Sequence, residues 1–283
     1  MTSKSSANSK SLGDRMKEYE SVHTQALLVP KVPVYVRIDG RAFHTFTRGL
    51  DRPFDKDFAW TMKEVTKHLH DKTNAFISYC QSDEISLCYL KPSKMPFETR
   101  LFKLESVLAG MASAAFCVYG AKTKLKSRIE KLIPHFDCRV CQMPIEEIPN
   151  MLLFRERDCV KNAITLTALE HFSNKQVFKK NSDDKIAMLK SIGIDFNEDI
   201  DEDFRLGSWF RRVVFQKELD NAVVEKIPES KRVLDERGKM IVTRSEVRQV
   251  KFGMKLSEID NKLAVLTGAE QPVMKAYDNG DDA

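Results

Sequence analysis

The segment PVYVRIDG, residues 33–40, decides the fold that this sequence predicts. Its apolar residues Val34, Val36 and Ile38 alternate with larger or polar side chains, which is the period of a β-strand. Gly40 marks the end of the run. The segment therefore predicts a strand that carries an aspartate, Asp39, at its carboxyl end.

The elements that follow this strand have a recognisable order. Apolar spacing predicts a helix over 55–73 and a slim helix over 101–119. Between them, two β-rich runs within 76–90 flank the tetrapeptide QSDE (81–84) and predict a hairpin with charge at its tip. A strand over 136–142 completes the series. Strand, helix, hairpin, helix, strand is the βαββαβ pattern of a ferredoxin-like palm, so the sequence predicts an α/β (α+β) protein of that class.

The second half of the chain predicts an extension packed on this palm. Helices are expected over 154–172 and 182–191, and strands near 208–217 and across a turn at 236–238. The predicted organisation is a disordered tail (1–12), a palm catalytic domain (13–150), a C-terminal extension of helices and basic β segments (151–277) and a frayed tail (278–283).

Composition narrows the class of protein. A net charge of +5 permits a nucleic-acid partner without requiring one, and no apolar run is expected to reach the roughly 18 residues of a membrane helix. Six cysteines without an apolar signal segment predict reduced thiols in a cytoplasmic protein. Cys138 and Cys141 form a CxxC pair, but alternation along a strand places their sulfurs on opposite faces, which argues against a metal site there.

Three carboxylates carry the case for chemistry. Asp39 ends a buried strand, and Asp83 and Glu84 lie at the hairpin tip. In a palm the first strand and the hairpin are neighbours, so Asp39 and Asp83 converge and require a cation between them. Mg²⁺ suits such a pair because it completes its coordination with water and substrate phosphates. The alternative is that Asp39 only terminates a strand and that the two hairpin acids form a solvated turn.

Two segments resemble a known family. VRIDGRAFH (36–44) and YCQSDEISL (79–87) are similar to the two signatures of the tRNA(His) guanylyltransferase family, closest to its tRNA(His) guanylyltransferase-like 3′–5′ polymerases. The resemblance spans roughly residues 14–217. It implies a polymerase palm that activates a tRNA 5′-monophosphate with ATP or GTP. The 3′-hydroxyl of an incoming nucleotide then displaces the activating group.

The resemblance also implies roles for individual residues. Two Mg²⁺ ions would bind Asp39, the carbonyl of Gly40 and Asp83, with Glu84 as a further catalytic acid. Contacts to the nucleoside triphosphates would come from Arg41, His44, Arg52, Ser82, Asn162 and Lys185. From the residues alone, His44 is equally a structural hydrogen-bonding group, Ser82 a turn residue, and Lys185 part of a helix start capped by Ser182. The resemblance further implies a homotetramer assembled as a dimer of dimers.

One segment departs from the strict family pattern. Enzymes specific for tRNA(His) carry His-Ile-Asn-Asn after an Asp-Cys pair, whereas this chain has DCVKNA at residues 158–163. Only Asn162 of that run is kept. The departure favours templated repair of tRNA 5′ ends over obligate recognition of the histidine anticodon.

Basic residues predict where RNA binds. Arg155 shares a helix face with Asp158 and Asn162, and Arg211, Arg212 and Lys251 belong to a late basic stripe. The stripe consists of Arg205, Arg211, Arg212, Lys217, Lys226, Lys231, Arg232, Lys239, Arg244, Arg248, Lys251 and Lys255. We expect it to contact the tRNA backbone, although such a run is also typical of a solvated face.

Two other functions remain open at the level of sequence. A palm-fold nucleotide cyclase would use the same carboxylates with a nucleoside triphosphate and no polynucleotide. A catalytically silent RNA-binding module would keep the basic residues and would not need the acids, yet Asp39, Asp83 and Glu84 are all present.

Overall fold

A computed structural model describes residues 10–22, 24–91 and 95–276. The frayed tail predicted at 278–283 and most of the tail predicted at 1–12 therefore lie outside the described residues. The strands are β1 (Val34–Gly40), β2 (Ile77–Gln81), β3 (Glu84–Tyr89), β4 (Phe136–Gln142), β5 (Ser208–Glu218) and β6 (Ile241–Val250). The helices are α1 (Leu12–Val22), α2 (Phe43–Phe46), α3 (Lys56–Thr73), α4 (Leu101–Gly120), α5 (Lys126–Leu132), α6 (Glu147–His171), α7 (Asn174–Val177), α8 (Ser182–Ser191), α9 (Phe196–Asp199), α10 (Glu202–Arg205), α11 (Asn221–Val224) and α12 (Lys262–Thr267). Short 3₁₀ helices lie at Pro96–Thr99, Glu229–Lys231 and Leu256–Glu258.

The six strands form one antiparallel sheet in the order β4-β1-β3-β2-β5-β6. Its first four strands have the order and directions of a ferredoxin-like palm, so the predicted fold is confirmed. In this register Asp39 lies opposite Glu84 on β3 and opposite Asp137 on β4. The topology thus brings residues that are far apart in sequence to one end of the sheet.

Two apolar layers enclose the sheet. On one face, α3 and α4 pack against Val36 and Ile38 of β1. On the other face, α6 and the C-terminal turns pack against Tyr35, Tyr79 and Trp209. The two layers follow from the alternation of side chains along each strand. Arg37 and Asp39 share their face with Tyr35, and therefore lie on the α6 side.

Helices α3 and α4 form at the positions that the sequence predicts. Asp55 caps α3, because its carboxylate accepts a hydrogen bond from the Phe58 N–H at 2.9 Å. On α4, Leu104, Leu108 and Ala112 are fully buried. Each buried leucine contributes about 1.5–3 kcal/mol to folding. The apolar stripes thus hold both helices on the sheet.

The expectation about apolar segments requires a correction. Among the described helices, α4 is long and apolar enough to cross a membrane, judged by length and composition only. The core helix of a globular protein meets the same criterion. Here Leu104, Leu108 and Phe116 of α4 belong to the core of the sheet.

The C-terminal half continues the palm sheet. Strand β5 pairs with β2 through Ser208, Phe210 and Trp209, and β6 pairs with β5. The predicted boundary at residues 150 and 151 falls inside α6, which begins earlier than expected. The predicted turn at 236–238 is present, since Gly238 N–H donates to the Asp235 carbonyl at 2.9 Å, but β6 begins only at Ile241. The two strands are therefore joined by the whole segment 219–240 and not by that turn alone.

The cysteines are not joined by disulfides, and helix α1 has exposed apolar side chains. The six cysteines, all within the described ranges, are unpaired, and Cys138 and Cys141 face opposite sides of β4 as predicted. Helix α1 buries none of its side chains, and Leu12, Met16 and Tyr19 form an exposed apolar stripe along it.

Buried His70 on α3 makes the stability of the fold depend on pH. Its Nδ1 lies 2.7 Å from the Ser78 hydroxyl, and its Nε2 is buried without a hydrogen-bond partner in the described structure. Burial, reinforced by nearby Arg212, lowers the pKa of His70 to about 4. The unfolded chain, with a histidine pKa of about 6.5, takes up the proton first as pH falls. The contribution of neutral His70 to the unfolding free energy is therefore fully present above about pH 6.5, and it is lost as the pH falls toward 4.

We predict that His70→Gln flattens this pH dependence. Between pH 7 and pH 5 the unchanged chain should lose about 2 kcal/mol more unfolding free energy than the variant, because the variant has no imidazole to protonate. Urea unfolding at both pH values measures this difference. His171→Gln, at an exposed histidine, serves as the control and should follow the unchanged chain. Parallel pH profiles for the unchanged chain and His70→Gln would contradict the assignment.

Candidate active site

The end of β1 and the tip of the β2–β3 hairpin form one site. The Gly40 N–H donates to the Asp83 carbonyl at 3.0 Å, which fixes the hairpin tip beside Asp39. The tip is tight, since Ser82 has a φ of 46°, in the left-handed region. The convergence of Asp39 and Asp83 predicted from the palm order is therefore seen in the structure.

Gly40 is required by close packing at this corner. A Cβ atom at this position would overlap the ring of Phe43, the first residue of α2. Phe43 in turn packs against Phe136 and Phe116, with ring centroids 4.9 and 5.3 Å apart. These aromatic contacts hold the chain that follows Asp39 in a defined position.

The two aspartates have raised pKa values because the site is partly desolvated. Burial raises the pKa of Asp83 to about 6, and the charge on Asp39 raises it further. Burial also raises the pKa of Asp39, against the opposing effect of Arg37. No basic side chain in the described residues pairs with Asp83. A carboxylate that is buried beside another and lacks a counter-charge fits a divalent cation as its missing partner.

The donors available for that cation are limited. Among the described residues, no cluster of three or more histidine, cysteine or acidic side chains is arranged to hold a metal ion. The set that fits is Asp39, the carbonyl of Gly40 and Asp83, which is the set that the family resemblance implies. Such a small protein ligand set is typical of Mg²⁺, which keeps water and substrate oxygens.

Glu84 is held by two arginines. Arg37 donates from Nε to Glu84 Oε2 at 2.5 Å, and Arg155 donates from Nη1 to the same oxygen at 2.9 Å. Arg37 also donates from Nη2 to Asp39 Oδ1 at 3.1 Å, and Arg155 forms an ion pair with Asp158. Glu84 and Arg155 are both buried. The carboxylate of Glu84 is therefore occupied within the protein, and it orients Arg37 toward Asp39.

The sequence assigned no role to two residues beside the acids. Arg37 connects Asp39 to Glu84, and its position two residues before Asp39 on a strand was the available signal. Asp137 lies opposite Asp39 on β4, and its charge adds to the raised pKa of Asp39. Its Oδ1 is buried and accepts no hydrogen bond in the described structure. No signal in the sequence indicated the pairing of β4 with β1 in this register.

The residues expected to bind triphosphate form two groups. All four residues of the first group are exposed: Arg41 follows Gly40, Ser82 precedes Asp83, His44 lies on α2, and Arg52 lies in the loop between α2 and α3. Arg41 is partly fixed, since its Nη1 lies 3.0 Å from His135 Nε2. The four side chains are therefore accessible to a bound nucleotide.

The second group lies farther along α6. Asn162 is exposed, and Lys185 donates from Nζ to the Thr165 hydroxyl at 3.0 Å. Asn162 is seven residues beyond Arg155, which corresponds to about 10 Å along the helix. The expected cap of α8 is corrected, because Asn181, and not Ser182, accepts the Asp184 N–H at 2.8 Å.

The segment that departs from the strict family pattern lines a hollow. Val160 and Lys161 lie at the wall of a cavity of about 300 Å³ between α6 and α8. Arg157, Arg205 and Lys255 also line it, together with the buried acid Glu156. The hollow is therefore mainly basic, and Val160 offers it no side-chain hydrogen bond.

The residues expected to contact RNA are mostly engaged within the chain. Arg155 is buried in the Glu84 network. Arg211 donates to the Val265 carbonyl at 2.8 Å, and Arg212 donates to Asp71 at 2.7 Å. Lys251 pairs with Glu202 at 3.2 Å. The RNA contacts of these four residues stay predictions, and the structure gives each of them another partner.

We predict that Arg155→Met destabilises the fold by about 3 kcal/mol, because it leaves the buried Glu84 with one arginine where it had two. The exposed neighbour Arg157 on the same helix provides a matched control, and Arg157→Met should change stability by less than about 0.5 kcal/mol. Urea unfolding of both variants measures the difference. Equal stabilities would show that the Arg155–Glu84 pair contributes little.

Comparisons with known proteins agree with this geometry. The family model of the tRNA-His guanylyltransferases (Thg1) matches residues 13–144. A bacterial tRNA(His) guanylyltransferase (Thg1)-like protein, solved in complex with ATP, is 34% identical, with a TM-score of 0.64 over 71% of this chain and 88% of that chain.

Two further relatives extend the similarity. A bacterial Thg1-like protein in complex with GTP is 28% identical, with a TM-score of 0.60 over 85% of this chain and 91% of that chain. The tRNA(His) guanylyltransferase of Saccharomyces cerevisiae is 27% identical over 206 residues, which is 67% of this chain and 86% of the yeast protein. The palm sheet, the two acidic signatures and these matches agree, and the chain belongs to the tRNA(His) guanylyltransferase family, whose members are nucleotidyltransferases.

Proposed function

We propose that this chain adds nucleotides to the 5′ end of tRNA in the 3′–5′ direction, and that it works in templated repair of tRNA 5′ ends. The observation that carries the proposal is the pair Asp39 and Asp83, which meet at the sheet end with Asp83 lacking a basic partner in the described residues. The bacterial relatives bound to ATP and GTP support nucleoside triphosphates as substrates.

In the proposed mechanism, Asp39, Asp83 and the Gly40 carbonyl hold two Mg²⁺ ions. When bound at such a site, Mg²⁺ neutralises triphosphate charge and stabilises the attacking and leaving oxygens of a phosphoryl transfer. Arg37 orients Asp39, and Glu84 keeps Arg37 in place. Glu84 thus supports catalysis as a positioning residue.

The remaining polar residues would bind the substrates. Arg41 and Ser82 are next to the acids in the chain, and His44 and Arg52 are exposed. Asn162 is about 10 Å along α6 from Arg155, and Lys185 on α8 contacts Thr165 of α6. We assign the first group to the triphosphate nearest the acids, and the second to a more distant part of a nucleotide or of the tRNA end.

The two rival functions differ in their products. A cyclase would release a cyclic nucleotide from GTP alone, and a silent RNA-binding module would bind tRNA without changing it. Asp83 disfavours the silent module. Burying a carboxylate without a basic partner costs free energy, and a module that binds no catalytic metal would gain nothing in return. Incubation with GTP, with and without tRNA, followed by product analysis, decides between the three.

We also propose that the chain assembles as a homotetramer, a dimer of dimers, in the cytoplasm. Exposed apolar side chains on α1 and on the outer side of α4, such as Tyr19, Phe102 and Val118, support self-association. The molar mass in solution, measured by light scattering, tests the assembly, and cell fractionation tests the location.

We predict that Asp39→Asn and Asp83→Asn each reduce nucleotide addition to below detection while the fold is kept, because each removes a charged metal ligand. The assay follows labelled GTP into tRNA, and a Mn²⁺ titration measures metal binding directly. Asp220→Asn, at an exposed acid on α11's N-terminal side, is the control and should behave as the unchanged chain. Near-normal turnover in either active-site variant would refute the metal assignment.

We further predict that several 5′-truncated tRNAs are repaired efficiently, with the added nucleotide chosen by the opposing template base. Discrimination between anticodons requires hydrogen-bonding groups at base edges, and Val160 and Lys161 supply no such pair in the hollow on α6. Base pairing then selects the nucleotide, because only a paired nucleotide holds its 3′-hydroxyl near the activated 5′ phosphate. Initial rates on a truncated non-histidine tRNA and on intact tRNA(His) measure this. A strong preference for tRNA(His) that follows a transplanted anticodon would refute the proposal.

A further inference from the structure

Part of the sheet extends beyond the palm as a two-stranded ribbon. Strand β5 pairs with β2 only as far as Phe210, which lies opposite Ser78. From there, residues 211–218 pair only with 241–248. We call this segment the outer ribbon. It is a rigid element, because eight register pairs connect its two strands.

The two faces of the outer ribbon differ in charge. Residues paired across an antiparallel ladder share a face. One face carries four basic residues and a single acid, and we call it the basic face. Its members are Arg211, Val213, Phe215 and Lys217 of β5, with Val242, Arg244, Glu246 and Arg248 of β6. On the other face, Arg212 is the single basic residue, and it is paired with Asp71.

Three cations of the basic face are available to an external anion, whereas the fourth, Arg211, donates to the Val265 carbonyl. Lys217 and Arg244 are exposed and have no ion pair or side-chain hydrogen bond within the described structure. Arg248 is held in place, with its guanidinium 4.5 Å from the Phe215 ring centroid and its Nε donating to Glu246 at 2.6 Å. An arginine oriented in this way loses less entropy when its remaining N–H groups bind a phosphate.

The basic face is on the same side of the sheet as the catalytic acids. Glu84 lies opposite Asp39 on one strand and opposite Gln81 on the next, and Tyr79, two residues from Gln81, lies opposite Trp209. Side chains alternate along each strand, so Trp209 and Lys217 share the side of Asp39. Strand β5 runs away from the hairpin tip. Lys217 is nine residues beyond Ser208, which corresponds to about 30 Å.

We propose that the basic face of the outer ribbon binds the phosphate backbone of the tRNA away from the 5′ end being extended, at points roughly 10 Å (Arg248), 23 Å (Arg244) and 30 Å (Lys217) along β5 from Ser208. The inference rests on the proposed function, because it places the 5′ end at Asp39 and Asp83. A polyphosphate chain is the partner that fits, since Arg248, Arg244 and Lys217 follow one another along one face at intervals of roughly 13 Å and 7 Å, and Glu246 is the single acid on that face. The contact is made to the backbone and carries no sequence information, which suits an enzyme that acts on several tRNAs.

The test compares the triple variant K217Q/R244Q/R248Q with the control triple K67Q/K72Q/K131Q. The control removes three equally exposed charges, two of them on α3, which covers the opposite side of the sheet. Each chain is titrated with full-length tRNA, and with a hairpin of about four base pairs, which at roughly 3.4 Å per pair or less is too short to span from the acids to Arg244 and Lys217.

For the ribbon triple we expect the Kd for full-length tRNA to rise by about tenfold or more, and the slope of log Kd against log salt to fall by about 2. Because Arg248 is within reach of the short hairpin, it is the double variant K217Q/R244Q that should bind this hairpin as tightly as the unchanged chain does. The control triple should match the unchanged chain on both RNAs. The double variant keeps the Arg248–Phe215 contact intact, and should show a smaller loss in the same direction for full-length tRNA.

Three results would overturn the inference. They are an unchanged salt slope for the ribbon triple, an equal loss in the control triple, and an equal loss for the double variant on the short hairpin. If the ribbon triple binds acidic peptides or anionic vesicles less tightly but binds tRNA as the unchanged chain does, the surface belongs to another partner and the inference is rejected. If the unchanged chain extends no RNA but its tRNA affinity depends on the ribbon, the proposed function fails and the ribbon contact stands.

Discussion

Glu84 is buried at the catalytic end of the sheet, and a buried carboxylate requires cations beside it. Arg37 from β1 and Arg155 from α6 meet that requirement at one of its oxygens. This arrangement has two consequences. It fixes α6 to the palm, and it removes Glu84 from the acids that are available to a metal ion. Asp83 is left without a basic partner in the described residues, and burial, together with the charges on Asp39 and Glu84, raises its pKa.

The same network explains why the C-terminal half is not an independent unit. Arg155 belongs to the helix that begins the extension, yet it neutralises a residue of the palm hairpin. Strand β5 then joins the palm sheet at β2. The contacts across the predicted boundary are therefore ionic at the active site and backbone hydrogen bonds at the sheet edge. A cut at residue 150 would separate Glu84 from one of its two arginines and would expose the edge of β2.

Much of the palm could be predicted from local patterns. The alternation in β1 and β4, the stripe of α3 and the charged hairpin tip each follow from side-chain periodicity, and the order of elements implied the meeting of Asp39 and Asp83. The direction of Arg155 could not be predicted, because helical spacing with Asp158 and Asn162 shows that they share a face but not what that face contacts. The long connection between β5 and β6 was also missed, since the turn at Gly238 has the local signals of a hairpin turn. Both features depend on contacts between residues that are far apart in the sequence.

A net charge of +5 says little about RNA binding, because several of the late basic residues are paired with acids inside the chain. Arg212, Lys239 and Lys251 each pair with an acid. Lys217 and Arg244, on the basic face of the outer ribbon, are exposed and have no ion pair within the described structure. One antiparallel sheet thus carries two sites whose charges would otherwise neutralise each other. The acids need a site where cations are metal ions or oriented arginines, and the RNA backbone needs a surface of basic side chains. Arg244 and Lys217 lie roughly 23 Å and 30 Å along the sheet from its catalytic end, more than two Debye lengths at physiological salt, so they can attract RNA without neutralising the carboxylates.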